Sequence, residues 1–499
     1  MAQITYRANL SAKSFPFLSQ NWGRTVIVPQ YDNTFSRQLA STEDTDKDVG
    51  IPQIFYCHNV MPFQQGFQSI GYESTFNATV TVYDFVSIHL EEVGTSLYYA
   101  ITATGDFYVY YLGAWRFLKS FPAGSKVTVA KGYIYISQVG CFVYDRFFLT
   151  LNPQVLTGLV PTIIQGILSV AGYLVAWDLF TIYWSSTIDG TDFVPSLVTG
   201  AGSGELEAAK GNIVYCVSQP FGFIVYTSSN AVAGVYSGNS RFPFNFREIV
   251  NSGGVSNQFQ ITYDANTGNH YVYTTSGIQL VSNSQSQTVL PEATDFLGGQ
   301  ILEDYDESTD TFITSAVGAH MNTRLSMVAS RYLVISYGIT SLTHAIVYDL
   351  TTKRWGKLKI PHVQVIEYFI AGTNNTETPK KSIGFFAANG SLNVVSFDVN
   401  ASNSAGVIAL GKYQFVRQRL LQLDEINVEN IQPGTTPVLY LLPALDGKNT
   451  VKEFPTLLIS NGMYRKYGTR CIGINVSIVL RGAFVLESLV LVFNIHGKR

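Results

Sequence analysis

The residue types that carry most protein chemistry are thinly spread along this 499-residue chain. Its seven histidines fall at positions 58, 89, 270, 320, 344, 362 and 496, with no HxH or HExxH spacing. A metal hydrolase needs paired ligands on one face of an element, so that chemistry has no visible carrier. The four cysteines, Cys57, Cys141, Cys216 and Cys471, form no CxxC pair, which argues against zinc. Cys141 and Cys216 lie in apolar, strand-like runs, where a thiol serves as a small buried hydrophobe. Their spacing requires no disulfide, which fits assembly in a reducing cytoplasm. There is no GxSxG elbow and no Walker loop. The Gly-rich GAGSG at 200–204 lacks the following Lys and Ser/Thr, and reads as a turn.

The carboxylates are the remaining candidates. Asp44, Asp46 and Asp48 alternate like the start of a calcium loop, but the glycine comes one place late, at Gly50. No Glu stands at the twelfth position. Glu303, Asp304, Asp306, Glu307 and Asp310 form a second acidic run. Both runs read as solvated loops, with a gathered cation as the alternative. Asp178, Asp189 and Asp192 could supply the carboxylate pair of a propeller glycosidase. Nothing in the sequence pairs them, and Asp189-Gly190 is explained as a turn. The expectation is therefore a non-enzymatic protein with no cofactor and no metal site.

The elements around these residues are strands. Short runs of Val, Ile, Tyr and Phe alternate with Gly, Asn, Asp and Ser turns, and no long helical period occurs. Meanders occupy 96–118, 258–282 and 384–398, the last turning at Asn389-Gly390, where both residue types tolerate positive φ. Three strands led by Gly132, Gly172 and Gly211 are spaced 40 and 39 residues apart, and SRYLVISYG, with Tyr332 opening its strand, continues the style. A period near 40 with about four strands per unit is the pattern of a propeller blade.

The fold expected is all-β: a β-propeller-like repeat domain with an additional C-terminal β-sandwich or platform. A jelly roll or a pair of sandwiches is the alternative. The expected boundaries are 1–50 for an N-terminal arm or ring-closing segment, 51–411 for six or seven propeller units, and 412–499 for the C-terminal β domain. The interval stretches between about residues 219 and 330, implying long loops such as Ser237–Val255. There Arg241, Phe242, Phe244, Phe246 and Arg247 mix aromatic and basic character. They are the candidate subunit-interface loop, with aromatics tucked into the core as the alternative.

Composition points toward assembly. Charged residues make up only 13% against 46% hydrophobic and 13% aromatic. Globular chains carry about 25% charge, and a monomer of this size needs a charged surface. The net charge of −3 carries no basic signature of a nucleic-acid reader. The uncharged stretch from Phe147 to Trp177 is broken by Pro153, Pro161 and several glycines, so it reads as two buried strands rather than a membrane span. The first residues, MAQITYRANLSAKSFPF, contain no apolar core of a signal peptide.

Particular segments resemble a known family. WSSTIDGTDFVPSLVTGAGSGELEAAKGNIVY (184–215) and FGFIVYTSSNAVAGVYSGNSRFPFNFREIVNSGGV (221–255) look like stretches of virion proteins of short-tailed bacteriophages. IPQIFYCHNVMPFQQGFQSIGY (51–72) and LVLVFNIHGKR (489–499) fit the same picture. The resemblance is to tail nozzle, or tail hub, proteins. It implies a homo-hexameric ring below the portal and adaptor proteins, with tail fibres or spikes nearby. Viral DNA would pass through the channel without sequence-specific binding. The protein would then belong to the virion tail and be assembled in the bacterial cytoplasm. The rival reading is a propeller-type tail protein that binds host-surface glycans.

Overall fold

The computed structural model describes most of residues 56–414, apart from short connections and the stretches 75–79, 81–83, 307–310, 317–321, 371–379 and 398–404. It also describes the strand pairing of 2–9 and 25–27, and of segments between 419 and 498. The chain is a β-propeller with additional β-sheets formed by its two ends. Seven antiparallel sheets follow one another as up-and-down meanders. Blades 1 to 5 span 84–120, 127–154, 166–205, 213–248 and 261–288. Blade 6 is built on 324–362 and blade 7 on 364–396.

Meanders of this kind bury both faces only if neighbours cover them, so the blades stack around an axis. The first strand of each blade touches the first strand of the next for blades 1–2, 2–3, 3–4, 5–6, 6–7 and 7–1. The apolar cores lie between blades. Phe107 and Val109 of blade 1 pack with Ile134 and Ile136 of blade 2. Ile224 and Tyr226 of blade 4 pack with Val272 and Val281 of blade 5. Tyr98 and Ala100 of blade 1 pack with Phe386 and Val394 of blade 7, which closes the ring.

The alternation of apolar residues explains both faces. In Tyr173–Trp177, Tyr173, Val175 and Trp177 join the core shared with blade 4. Leu174 and Ala176 join the core shared with blade 2. A central strand buried on both faces becomes a continuous apolar run, as YLVAW is.

The repeat glycines divide into two kinds. Lys131-Gly132 and Ala171-Gly172 take left-handed φ of 49° and 80°, and of 49° and 89°, between the first and second strands of blades 2 and 3. Two successive positive φ values make the tight turn that matches strand twist. Lys131 reaches from its turn to the carbonyl of Gly172 in the next blade. Gly211, in contrast, precedes the first strand of blade 4 and has no positive φ. The true pitch, measured at the second strands, is 40 residues from Tyr133 to Tyr173, then 49 to Gly222, 48 to His270 and 62 to Tyr332. The last interval contains the helix Pro291–Leu297 and a hairpin of Ile301–Asp306 with Thr311–Ala316.

The ring is closed by residues far away in sequence. Gly71–Ser74 pairs with Leu392–Ser396 as the outer strand of blade 7. Val60–Phe63 and Gly66–Ser69 extend the edge of blade 6, and Val485–Leu486 adds to them. Two further sheets join the chain ends. Ala2–Asn9 pairs with Ser488–Lys498, which also pairs with Arg419–Glu429. Thr25–Ile27 and Tyr56–His58 both pair with Gly406–Gln414, followed by Asn475–Gly482 and Val438–Ala444.

The stretch 147–177 contains three strands, Thr150–Gln154, Gly166–Val170 and Tyr173–Trp177, where two were expected. Among the described residues no helix is long and apolar enough to cross a membrane.

Candidate functional site

The carboxylates that could have formed a glycosidase pair are each occupied locally. Asp178 accepts hydrogen bonds from the backbone N–H of Phe180 (2.7 Å) and Thr181 (2.6 Å) and from the Tyr183 hydroxyl (2.8 Å). Asp189 accepts from the Thr191 N–H at 2.9 Å and its hydroxyl at 2.7 Å, and these bonds hold its carboxyl below the usual range. Asp192 accepts from the Val194 N–H at 3.0 Å. Each caps a turn two residues on, as short acidic side chains do in loops.

Several titratable groups elsewhere are buried. Cys57, Cys141 and Cys216 are buried free thiols. Burial pushes Cys57 and Cys141 up to about 12 and Cys216 well above its ordinary value. A nucleophilic thiol needs the opposite shift. His270, between blades 4 and 5, is pushed down to about 3 by burial, and its Nδ1 lies 2.7 Å from the Tyr226 hydroxyl. Asp349 is buried and paired with Arg331 at 2.8 Å. Burial alone would raise its carboxyl, but Arg331 and the Thr351 N–H outweigh that and lower it. No group of three His, Cys, Asp or Glu residues able to hold a metal occurs among the described residues. Asp44, Asp46 and Asp48 lie outside those residues, as do the side chains of the 303–310 acidic run.

The candidate interface residues separate. Phe244–Glu248 is the outer strand of blade 4, so part of the expected 237–255 loop is regular structure. Phe244 is buried, edge-on to Tyr173, Trp184 and Phe223. Phe246 is half-buried against the same core. Phe242 and Arg247 are exposed, and Arg241 lies outside the described residues.

The surface that sequence reasoning did not single out is on the rim of blades 2 and 3. The linker after blade 2 and the long 185–201 insertion in blade 3 are laced together. The Thr157 N–H donates to Thr191 O at 2.8 Å, and the Phe193 N–H donates to Thr157 O at 2.8 Å. Leu156 and Phe193 drive into the gap between the two blades against Leu174 and Ala176. A Cβ on Gly158 would lie 2.8 Å from the Val194 nitrogen, so the two loops can meet this closely only at a glycine. The insertion turns apolar side chains to solvent: Ile188 is 80%, Leu197 74% and Val198 88% exposed, and Val155 and Val160 on the linker are exposed as well. Single exposed apolar residues are ordinary; here several fall on one braced insertion, which makes it the candidate surface.

Among the described residues the tryptophans are not exposed. Trp177, Trp184 and Trp355 are buried, Trp115 is half-buried, and Trp22 lies outside the described residues.

No protein-family model and no curated protein matches the sequence. Among solved structures the chain is similar to the WD40 β-propeller domain of Doa1, at 10% identity and a TM-score of 0.39, covering 66% of this chain and 97% of that one. BamB from Moraxella catarrhalis is similar at 8% identity and a TM-score of 0.36, covering 69% and 97%. Saccharomyces cerevisiae Sqt1 gives 9% identity, a TM-score of 0.33, and coverage of 68% and 99%. The propeller assignment stands on the seven sheets and their ring of contacts.

Proposed function

We propose that this propeller protein is a structural subunit of a short-tailed phage tail: a nozzle component that assembles with copies of itself into a hexameric ring. The ring would contact the portal and adaptor proteins and the fibres or spikes, and would conduct DNA during ejection. The observation that carries the reading is the apolar platform on the rim of blades 2 and 3. It lies within and beside 184–215, one of the segments that resemble nozzle proteins. An apolar surface on a chain with 13% charged residues is suited to permanent burial against another subunit. The turn-capping carboxylates and raised thiols support a scaffold over a catalyst. Buried tryptophans count against the glycan-binding alternative.

The test is the mass of the purified protein by light scattering, alone and mixed with virion connector proteins, followed by electron microscopy. Rings, alone or on the connector, are expected. A protein that stays monomeric and ignores the connector would sink the nozzle reading while leaving the propeller intact.

A further inference from the structure

A short link joins the two sheets made by the chain ends, and it docks on the propeller on the way. Asn475–Gly482 lies in the sheet with Gly406–Gln414, and Ser488–Lys498 lies in the sheet with Ala2–Asn9 and Arg419–Glu429. Between them, Val485–Leu486 leaves both sheets and pairs with Gln68 and Phe67. There it is the outermost strand on the extended edge of blade 6. Among the described residues, no strand of the Ala2–Asn9 sheet pairs with a blade. The link is thus the point where the chain passes from the propeller edge into that sheet.

The middle of the link is held differently from its flanks. Ser488–Lys498 is paired on both sides along its ladders, and so is Asn475–Gly482, between Gly406–Gln414 and Val438–Ala444. Val485–Leu486 is two residues long and paired on one side. Its hold comes from side chains and from one serine. Phe484, Val485 and Leu486 are buried. The Ser69 N–H donates to Phe484 O at 2.9 Å, and the Ser69 hydroxyl accepts from the Phe484 N–H at 2.9 Å. The hairpin that receives the link has supports of its own. Arg354 donates to Gly66 O at 2.6 Å, and Asn59 O accepts from the Ile70 N–H at 2.9 Å. Just upstream of the link, Gly482 has a φ of 115°, a backbone state that glycine adopts without strain.

We propose that residues 484–486 form a releasable clasp. Docked, the clasp ties the sheets of the chain ends to the edge of blade 6. It opens as a unit while the blades and the flanking ladders stay folded. A two-residue edge strand has few backbone bonds to break, and such elements open locally ahead of the whole. Opening exposes three apolar side chains, so the docked state predominates. Release lets the Ala2–Asn9 sheet shift against the propeller without the unfolding of a blade, with Gly482 absorbing the change of direction. The clasp is a property of the single chain, independent of how the protein assembles.

Hydrogen exchange of the purified protein, resolved to single amides by mass spectrometry, tests it. The two amides bonded across the seam, Ser69 N–H and Phe484 N–H, report opening. In the wild type both are expected to exchange at one common rate, at least tenfold faster than the amides of Tyr332–Tyr337 in blade 6. Low urea should leave that rate almost unchanged, since a local opening exposes little surface. Leu486→Ala touches neither bond but removes buried contacts of the clasp, so it should speed both amides at least tenfold. The amides of Tyr332–Tyr337 and of Ser488–Lys498 should not respond. Val485→Ala makes the same test if Leu486→Ala does not fold. Seam amides as slow and as urea-sensitive as those of Tyr332–Tyr337 would overturn the proposal, because the link would then open only with the whole protein. So would a variant that speeds one seam amide alone, neither of them, or all the amides equally.

Discussion

Acid should destabilise the propeller through its buried histidines. His270 and His362 are almost wholly buried, and burial is the leading cause that pushes them down to about 3 and about 4. In the unfolded chain each would titrate near 6.5. Between the two values the unfolded state binds the proton and the folded state does not. Stability is then complete above about pH 6.5 and falls as pH drops toward the folded values. Each unit of difference is about 1.36 kcal/mol, so each histidine costs up to about 3 kcal/mol by pH 4. A compact unfolded state reduces this. Urea unfolding followed by tryptophan fluorescence at pH 7, 6, 5 and 4 measures the slope. The control is the double variant Tyr226→Phe/His270→Leu, which removes the 2.7 Å pair together and leaves no half-satisfied partner. It should lose about half of the slope between pH 6.5 and 4. A wild-type midpoint that does not change over that window, or a double variant with the full slope, would refute the reasoning.

Other expectations are read by the same unfolding assay or by mass. Gly254→Ala places a Cβ 2.1 Å from Ser228 O, a backbone atom that cannot step aside, so it should cost several kcal/mol, at least ~3. Arg354→Met removes a buried guanidinium that donates to Gly66 O at 2.6 Å and lies over Phe67, and should cost about 2–4 kcal/mol by loosening the added edge of blade 6. Val198→Asp, on the exposed rim platform, should leave the unfolding midpoint of the isolated chain unchanged and reduce the ring mass.

What was legible in the sequence was local. The Gly132 and Gly172 turns occur in the same place in consecutive blades, because a two-residue turn at positive φ leaves a mark in residue type. Gly211 matched the spacing by coincidence. The 185–201 insertion lengthens blade 3, and the distance to a glycine before the next blade happened to come out at 39. The correct phase is carried by the second strands, whose burial on both faces makes YLVAW and GFIVYT continuous apolar runs. The rim platform was not legible, since Ile188, Leu197 and Val198 have core-like composition and only burial separates a core from a patch. Nor was the pocket lined by Val127, Tyr215, Arg324 and Val365, which share no local pattern. In the 237–255 stretch, Phe242 and Phe244 are two places apart, one exposed and one in the core, because the outer strand of blade 4 begins between them.

Ring closure is the least local feature, and it explains why the ends of the chain belong to the mechanics of the whole. Residues 56–74 run across three bodies in turn. Tyr56–His58 pairs with Gly406–Gln414, the hairpin of Val60–Phe63 and Gly66–Ser69 extends blade 6, and Gly71–Ser74 completes blade 7. Asn59 is the pivot, at a φ of 51°. Its side-chain oxygen accepts from the Lys359 N–H at 3.0 Å and from the Tyr72 hydroxyl at 2.9 Å, and its carbonyl accepts from Ile70 N–H at 2.9 Å. One residue thus joins blades 6 and 7 through both its backbone and its amide. The fit around it leaves no slack: a Cβ on Gly356 would sit 2.8 Å from Val60 O, and one on Gly406 2.9 Å from Asn59 O. Val485–Leu486 adds to the same edge from the far end of the chain. The sheets formed by the chain ends are therefore coupled to the propeller through strands that pair along its blade edges. A closure made by a late-blade strand alone would confine that coupling to one blade, whereas this one distributes it over blades 6 and 7 together.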